Sequence, residues 1–86
     1  MKAFKDLVFN PHPNGDGIQA RMEFDNGYGV SVICTPFSYG GKSGLYEMAV
    51  FHDGELTYTT VLGDDVHGWL TEDEVTKHLK EVQELK

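Results

Sequence analysis

The amino-acid sequence predicts an α+β fold, in which an antiparallel β-meander of four to five strands carries one C-terminal α-helix packed on one face. Three observations lead to this fold class. Apolar and polar residues alternate with a period of two over residues 17–24. Short segments rich in β-prone residues and separated by turn residues continue to position 62, and a helix-start signal precedes an apolar stripe at the end of the chain. No linker divides the 86 residues, so we expect a single domain over 1–86.

The first segment allows two interpretations. Residues 6–10 are predicted as a short strand, because an apolar run there ends at a loop rich in proline and glycine, residues 11–17. The alternative is a one-turn helix, since four apolar residues near the start also fit helical spacing. These are Ala3, Phe4, Leu7 and Val8.

Two hairpins follow. Strands 17–24 and 28–35 are joined by Asp25-Asn26-Gly27, in which Asn and Gly tolerate the positive φ of a tight reversal. Strands 45–52 and 55–62 form the second hairpin. Apolar residues lie on both faces of the segment 45–51, which is typical of a strand covered on both sides. One helix covers only one face of the sheet, so we expect the second face to be closed by strong curvature of the sheet, by a loop or by another subunit.

The C-terminal helix is predicted over residues 72–85. Thr71 and Glu74 match a capping box, in which the two residues reciprocally satisfy free backbone donors. Residues 63–68 are interpreted as a polar connection that leads into this helix. The apolar stripe that must face the sheet is Val75, Leu79, Val82 and Leu85.

Composition bounds the function. Seven Lys and Arg against fourteen Asp and Glu give a formal charge of −7, which disfavours direct binding to nucleic acid or to anionic membranes. The single cysteine, Cys34, excludes an internal disulfide and is interpreted as a small core residue. Neither a signal peptide nor a membrane-spanning run is recognised, so we expect a cytoplasmic protein.

The sequence contains segments that look like ligand-binding or catalytic motifs, but none of them has the spacing or context that its chemistry requires. Gly40-Gly41-Lys42-Ser43 looks like the end of a phosphate-binding loop, but Pro36 stands where the first glycine is required and a strand follows. The histidines are too far apart in sequence for a metal motif: His12, His52, His67 and His78. No nucleophile has a recognisable catalytic surrounding. We therefore expect no catalytic residue, no metal and no cofactor.

Five of the fourteen carboxylates fall between positions 64 and 74. Three of them, at 72–74, are explained by the favourable interaction of negative charge with the amino end of a helix. Asp64 and Asp65 precede that turn and are better candidates for contact with a basic partner. Phe37 and Tyr39, on the connection 36–44, are expected either to anchor that loop or to contact a partner. The predicted partner-binding residues are Asp64, Asp65, Glu72, Asp73, Phe37 and Tyr39.

Three stretches carry a family resemblance: residues 25–32, residues 44–47, and residues 65–70 with the acidic helix start behind them. They resemble short uncharacterised proteins found in tailed-bacteriophage genomes. The resemblance implies expression in the cytoplasm of a bacterial host and a role in adjusting host or phage machinery. No catalytic residue can be carried over from it to this sequence.

The leading hypothesis is a small acidic, non-enzymatic protein-binding module, a phage-type accessory or host-takeover protein that occupies a basic site on a partner protein. Nucleic-acid-processing or defence proteins are natural partners, because their functional clefts are basic. The alternative is a self-assembling structural protein, such as a homodimer, that pairs through a sheet face or edge. In that alternative the interface residues are Tyr46, Met48 and Val50, or their neighbours of opposite parity.

Overall fold

A computed structural model describes residues 1–13, 15–52, 55–56 and 67–85. It confirms the predicted fold class, an antiparallel sheet with one C-terminal helix. Short 3₁₀ turns lie at Phe4–Asp6 and Gly41–Ser43. The regular elements are β1 (Asn10–Pro11), β2 (Ile18–Glu23), β3 (Tyr28–Cys34), β4 (Tyr46–His52), β5 (Glu55–Leu56), β6 (His67–Leu70) and α1 (Glu72–Gln83).

The sheet runs in the order β1-β2-β3-β4-β5, and each neighbouring pair is antiparallel. Strand β6 also pairs with β4, on the edge that β5 uses further along. Residues 24–27 connect β2 to β3, and Gly27 has a φ of 86° that L-residues rarely adopt. Strands β1–β2 therefore form one side of the sheet, whereas β5 and β6 form the other.

The core lies between one face of this sheet and α1. Residues of even number from three strands are in register across that face, with Ala20 beside Val32 and Val32 beside Met48. From the helix, Val75, Leu79 and Val82 are fully buried against them. Burial of each large aliphatic side chain contributes roughly 1.5–3 kcal/mol, so this layer accounts for much of the fold's stability.

The prediction of a strand over residues 6–10 is wrong, except at Asn10. The chain instead makes a 3₁₀ turn at Phe4–Asp6, in which the Asp6 carboxylate accepts the Ala3 N–H at 2.8 Å. The Phe4 N–H donates to Thr76 Oγ1 of α1 at 3.0 Å. This segment therefore packs along the helix and satisfies its donors there, and the alternative of a single helical turn was the better interpretation.

Strand β6 was not predicted. His67 and Gly68 belong to it, whereas the sequence suggested a polar connection over 63–68; residues 63–66 lie outside the described part. A register irregularity between Tyr46 and Met48 accompanies the pairing. The predicted strand 55–62 is described only at Glu55–Leu56, and residues 57–62 lie outside the described part.

Burial excludes one of the two predicted sets of interface residues and corrects the placement of Cys34. Met48 and Val50 lie beneath α1, and Tyr46 packs against Phe4 with ring centroids 5.0 Å apart, so this set is not available to a second subunit and the neighbours of opposite parity stay the prediction. Cys34 is half-buried at the last position of β3 instead of lying in the core, and its thiol donates to the Gly41 carbonyl at 3.7 Å.

Candidate protein-interaction site

Among the described residues, three aromatic side chains are largely exposed, and they come from two neighbouring segments. Phe37 is 79% exposed, Tyr39 62% and Trp69 61%. Trp and Tyr are enriched at protein interfaces, where they contribute much of the binding energy, so exposed aromatic side chains are candidates for contact with a partner. We call these three residues the aromatic patch.

A compact turn presents Phe37. The buried Thr35 hydroxyl accepts the N–H groups of Phe37 at 3.1 Å and Ser38 at 3.0 Å, and the Ser38 hydroxyl accepts the Thr35 N–H at 2.9 Å. The Ser38 hydroxyl also donates to the Thr35 carbonyl at 3.0 Å. These reciprocal bonds fix the backbone on both sides of Phe37, so its exposure belongs to a defined turn.

The loop is joined to β6 at Tyr39. The Trp69 N–H donates to the Tyr39 carbonyl at 3.2 Å, and the Tyr39 N–H donates to Glu47 Oε1 at 3.1 Å. Gly68 lies so close to the Tyr39 side chain that a Cβ at position 68 would overlap it. Gly40, with a φ of 87°, lies close to the Trp69 backbone, where an added Cβ would stand 2.9 Å from the Trp69 Cα. Tyr39 and Trp69 are therefore held in a fixed relation to each other.

Trp69 has an unusual backbone conformation. Its φ of 59° makes it the single residue other than glycine with positive φ in the described part of the chain. This left-handed conformation costs an L-residue roughly 1–2 kcal/mol. The next residue, Leu70, is buried in the core. Strain of this kind concentrates at functional sites, and here it accompanies an exposed tryptophan.

A shallow cleft of about 240 Å³ separates the loop from the tryptophan. Pockets for small molecules usually measure about 300–1,000 Å³, so this cleft suits one inserted side chain better than a whole ligand. Its lining residues are Pro36, Ser38, Tyr39, Gly40, Lys42, Ser43 and Trp69.

Two of the predicted acidic residues lie at the start of α1, directly after β6. Glu72 and Asp73 are exposed and follow Trp69 by three and four positions. The cap itself uses other side chains: the Glu74 N–H donates to Thr71 Oγ1 at 3.2 Å, and the Thr71 N–H donates to Glu74 Oε1 at 3.0 Å. The capping bonds therefore leave the carboxylates of Glu72 and Asp73 available to a partner.

Glu72 also acts electrostatically on Tyr46. Burial of the Tyr46 hydroxyl raises its pKa, and electrostatic interaction with Glu72 and Cys34 adds to the increase. Asp64 and Asp65, the other acidic residues predicted to contact a partner, lie outside the described part of the chain.

Sequence reasoning named Phe37 and Tyr39 but missed Trp69. It left open whether the two loop aromatics anchor the loop or contact a partner, and their exposure favours contact. A signal for Trp69 was present, because the chain's one tryptophan stands between Gly68 and the helix cap. Its large apolar ring nevertheless suggests a core position to anyone who reads the sequence alone.

Within the described ranges, no group of three or more His, Cys, Asp and Glu side chains could hold a metal ion. The same ranges contain no helix with the length and hydropathy of a membrane-spanning segment. Comparison of the chain with protein-family models, with curated proteins and with solved structures finds no match.

Proposed function

We propose that this chain is a small, acidic, non-enzymatic protein-binding module whose contact surface is the aromatic patch with Glu72 and Asp73 beside it. The observation that carries the proposal is the bond between the Trp69 N–H and the Tyr39 carbonyl, which unites two exposed aromatic side chains on one ordered surface. Rigid aromatic side chains lose little conformational entropy on binding, so they are effective anchors.

The charge pattern supports a basic partner. With a net charge of −7 and two exposed carboxylates next to the patch, the surface attracts a positively charged protein and accelerates its encounter. Asp64 and Asp65 precede the same helix in sequence, and we propose that their carboxylates also contact the basic partner. A protein whose functional cleft is basic, such as a nucleic-acid-processing or defence protein, fits this chemistry.

The resemblance to proteins of tailed-bacteriophage genomes supports a more specific proposal, that the module is an accessory or host-takeover protein acting in a bacterial cytoplasm. Proteins of that kind act by occupying a site, and this role needs no catalytic group. The aromatic patch supplies affinity, and the carboxylates supply the speed and salt sensitivity of the encounter.

The test is affinity capture from bacterial lysate at low salt, with mass spectrometry of the bound proteins. We expect a basic protein to be enriched by the wild type and lost with Tyr39→Ala/Trp69→Ala. The matched control is Val8→Ala, which removes apolar surface outside the patch. Partners that both variants retain equally, or no partner in repeated captures, would contradict the proposal.

A second pair of variants separates charge from anchoring. Glu72→Gln/Asp73→Asn leaves the capping residues intact, and we expect it to slow association by about tenfold with little change in dissociation. The control is Asp25→Asn/Glu84→Gln, which removes two exposed charges elsewhere. Equal effects of the two pairs would show that only net charge matters.

A further inference from the structure

Among the described residues, the outer edge of β2 is unpaired over most of its length. Strand β1 pairs with β2 only at Ile18 and Gln19, and no other described segment pairs with β2 on that side. The Phe24 N–H donates to the Tyr28 carbonyl at 2.8 Å, which fixes the alternation of the ladder. Met22 and Ala20 therefore bond to β3, whereas the backbone groups of Arg21 and Glu23 point outward.

The side chains at these two outward positions carry opposite charges. Arg21 and Glu23 are both exposed, and their spacing of two residues puts them on the same face of the sheet. Arg21 is the chain's only arginine, and its guanidinium lies 4.9 Å from the centre of the Phe51 ring. Neither residue has an ion-pair partner among the described residues.

We propose that a second copy of this chain pairs with this edge, antiparallel and centred on Met22. In that register Arg21 of each copy lies opposite Glu23 of the other, and the two residues exchange backbone hydrogen bonds because both point outward. Two cross-strand pairs of opposite charge result. The edge is therefore complementary to itself, as a two-fold symmetric interface requires.

Neighbouring registers lack this complementarity. A dimer centred on Arg21 places two arginines opposite each other, and one centred on Glu23 does the same with two glutamates. If one strand shifts by a single residue relative to the other, the outward-pointing backbone groups of Arg21 and Glu23 face Ala20 and Met22, whose backbone groups are already bonded to β3. The charge pattern therefore selects one register out of those that an open edge permits.

An exposed apolar residue accompanies the edge. Met1 is 74% exposed and lines a cleft with Glu23 and Phe24. A second copy on this edge shields the Met1 side chain from water, which supplements the strand pairing.

The dimer leaves the aromatic patch accessible. Trp69 lies on β6, beyond β4, whereas the proposed interface uses the opposite side of the sheet at β2. The two-fold axis between the β2 strands then places one patch at each end of a continuous sheet. A dimeric or multimeric partner can engage both patches, which raises avidity without any new contact.

Charge exchange tests the proposal by sedimentation equilibrium over a range of concentrations. The wild type is expected to form a dimer, and Arg21→Glu and Glu23→Arg are each expected to weaken it by about tenfold or more, because both pairs become repulsive. An equimolar mixture of the two variants is expected to associate, and so is the double variant Arg21→Glu/Glu23→Arg, since both restore opposite charges. Circular dichroism establishes that each variant is folded.

The backbone is tested separately with Glu23→Pro, which removes an outward N–H without touching the ladder to β3 and is expected to weaken the dimer. A wild type that stays monomeric at about millimolar concentration overturns the proposal. A dimer that the charge exchanges leave unchanged also overturns it, and a dimer lost with Trp69→Ala instead assigns self-association to the aromatic patch. None of these results depends on whether a heterologous partner is captured.

Discussion

The side-chain amide of Asn26 donates to the Val82 carbonyl at 2.9 Å, so the turn of the first hairpin caps the carboxyl end of the C-terminal helix. The same NH₂ group donates to the Leu85 carbonyl at 2.9 Å, and Asn26 Oδ1 accepts the Tyr28 N–H at 3.0 Å. One residue therefore closes its own turn and donates to two carbonyls at the carboxyl end of the chain, that of Val82 in the last turn of α1 and that of Leu85 just beyond it.

We expect Asn26→Ala to destabilise the protein by about 1–3 kcal/mol, because part-buried carbonyls lose their donors. Asn26→Asp is expected to cost more, since a carboxylate repels the negative end of the helix dipole. Urea denaturation measures both, with Asp25→Asn in the same turn as the control. Unchanged midpoints for both variants at position 26 would show that the contact to the helix contributes nothing.

The amino end of α1 offers a second test. Thr71→Ala is expected to cost about 1 kcal/mol, because the Glu74 N–H loses its acceptor, whereas Thr71→Ser keeps the hydroxyl and is expected to retain most of the stability. Thermal unfolding followed by circular dichroism distinguishes the two. Equal losses for alanine and serine would point to the threonine methyl group instead of the capping bond.

The same cap makes stability depend on acid. The bond from the Thr71 N–H lowers the pKa of Glu74 in the folded state. The Glu74 carboxylate therefore stabilises the fold fully above the ordinary carboxyl pKa, and this stabilisation is lost as the pH falls through the pKa of the folded state. Glu74→Gln still accepts the bond but does not titrate. We expect the advantage of the wild type over this variant to shrink between about pH 6 and about pH 3. A difference that is constant with pH would contradict the linkage.

Tyr46 has the opposite dependence at alkaline pH. Burial raises its pKa, so the folded state holds the proton more tightly than the unfolded state does. Its contribution to stability is complete below about pH 10 and is lost as the pH rises through the folded pKa. Tyr46→Phe is expected to show a weaker alkaline loss of stability than the wild type, measured by urea denaturation between about pH 8 and about pH 11. Tyr39→Phe, at an exposed position, is the control.

Trp69 allows binding and stability to be separated. Glycine accepts a φ of 59° without strain, so Trp69→Gly is expected to change stability by no more than about 1 kcal/mol, as relief of strain offsets lost side-chain contacts. Capture of a partner is expected to fail with this variant. A large loss of stability would mean that the tryptophan holds the fold together and is not reserved for contact.

Gly68 tests the link between the loop and β6. Gly68→Ala places a methyl group where the Tyr39 side chain lies, so the loop must move away from the strand. We expect the aromatic patch to bind its partner more weakly while the helix and the β2–β3 hairpin stay intact. Amide chemical shifts report the displacement, which is expected at residues 36–44 and to be absent around Asn26.

The sequence by itself determined strand β2, the turn after it and the start of α1, because interactions between neighbouring residues produce them. The alternation over residues 18–23 requires one wet face and one dry face, Asn26 and Gly27 allow the tight reversal, and Thr71 with Glu74 starts the helix through bonds between neighbours. Each of these features depends on residues a few positions apart, and each was predicted within two residues of its observed bounds. The predicted partner-binding residues Phe37 and Tyr39 came from their place on a loop.

Long-range packing decided the rest. The N-terminal residues could extend as a strand or coil into a turn, and a hydrogen bond from Phe4 to Thr76, 72 positions away, selected the turn. The sequence of β4 has apolar residues on both faces, so it does not show which face the helix covers. Met48 is paired with Val32 in the neighbouring strand, and this register places Met48 on the face that α1 covers. Strand β6 exists because β4 offers it an edge, and that pairing keeps Trp69 at the surface. Such choices depend on free-energy differences between distant contacts, which no stretch of neighbouring residues contains.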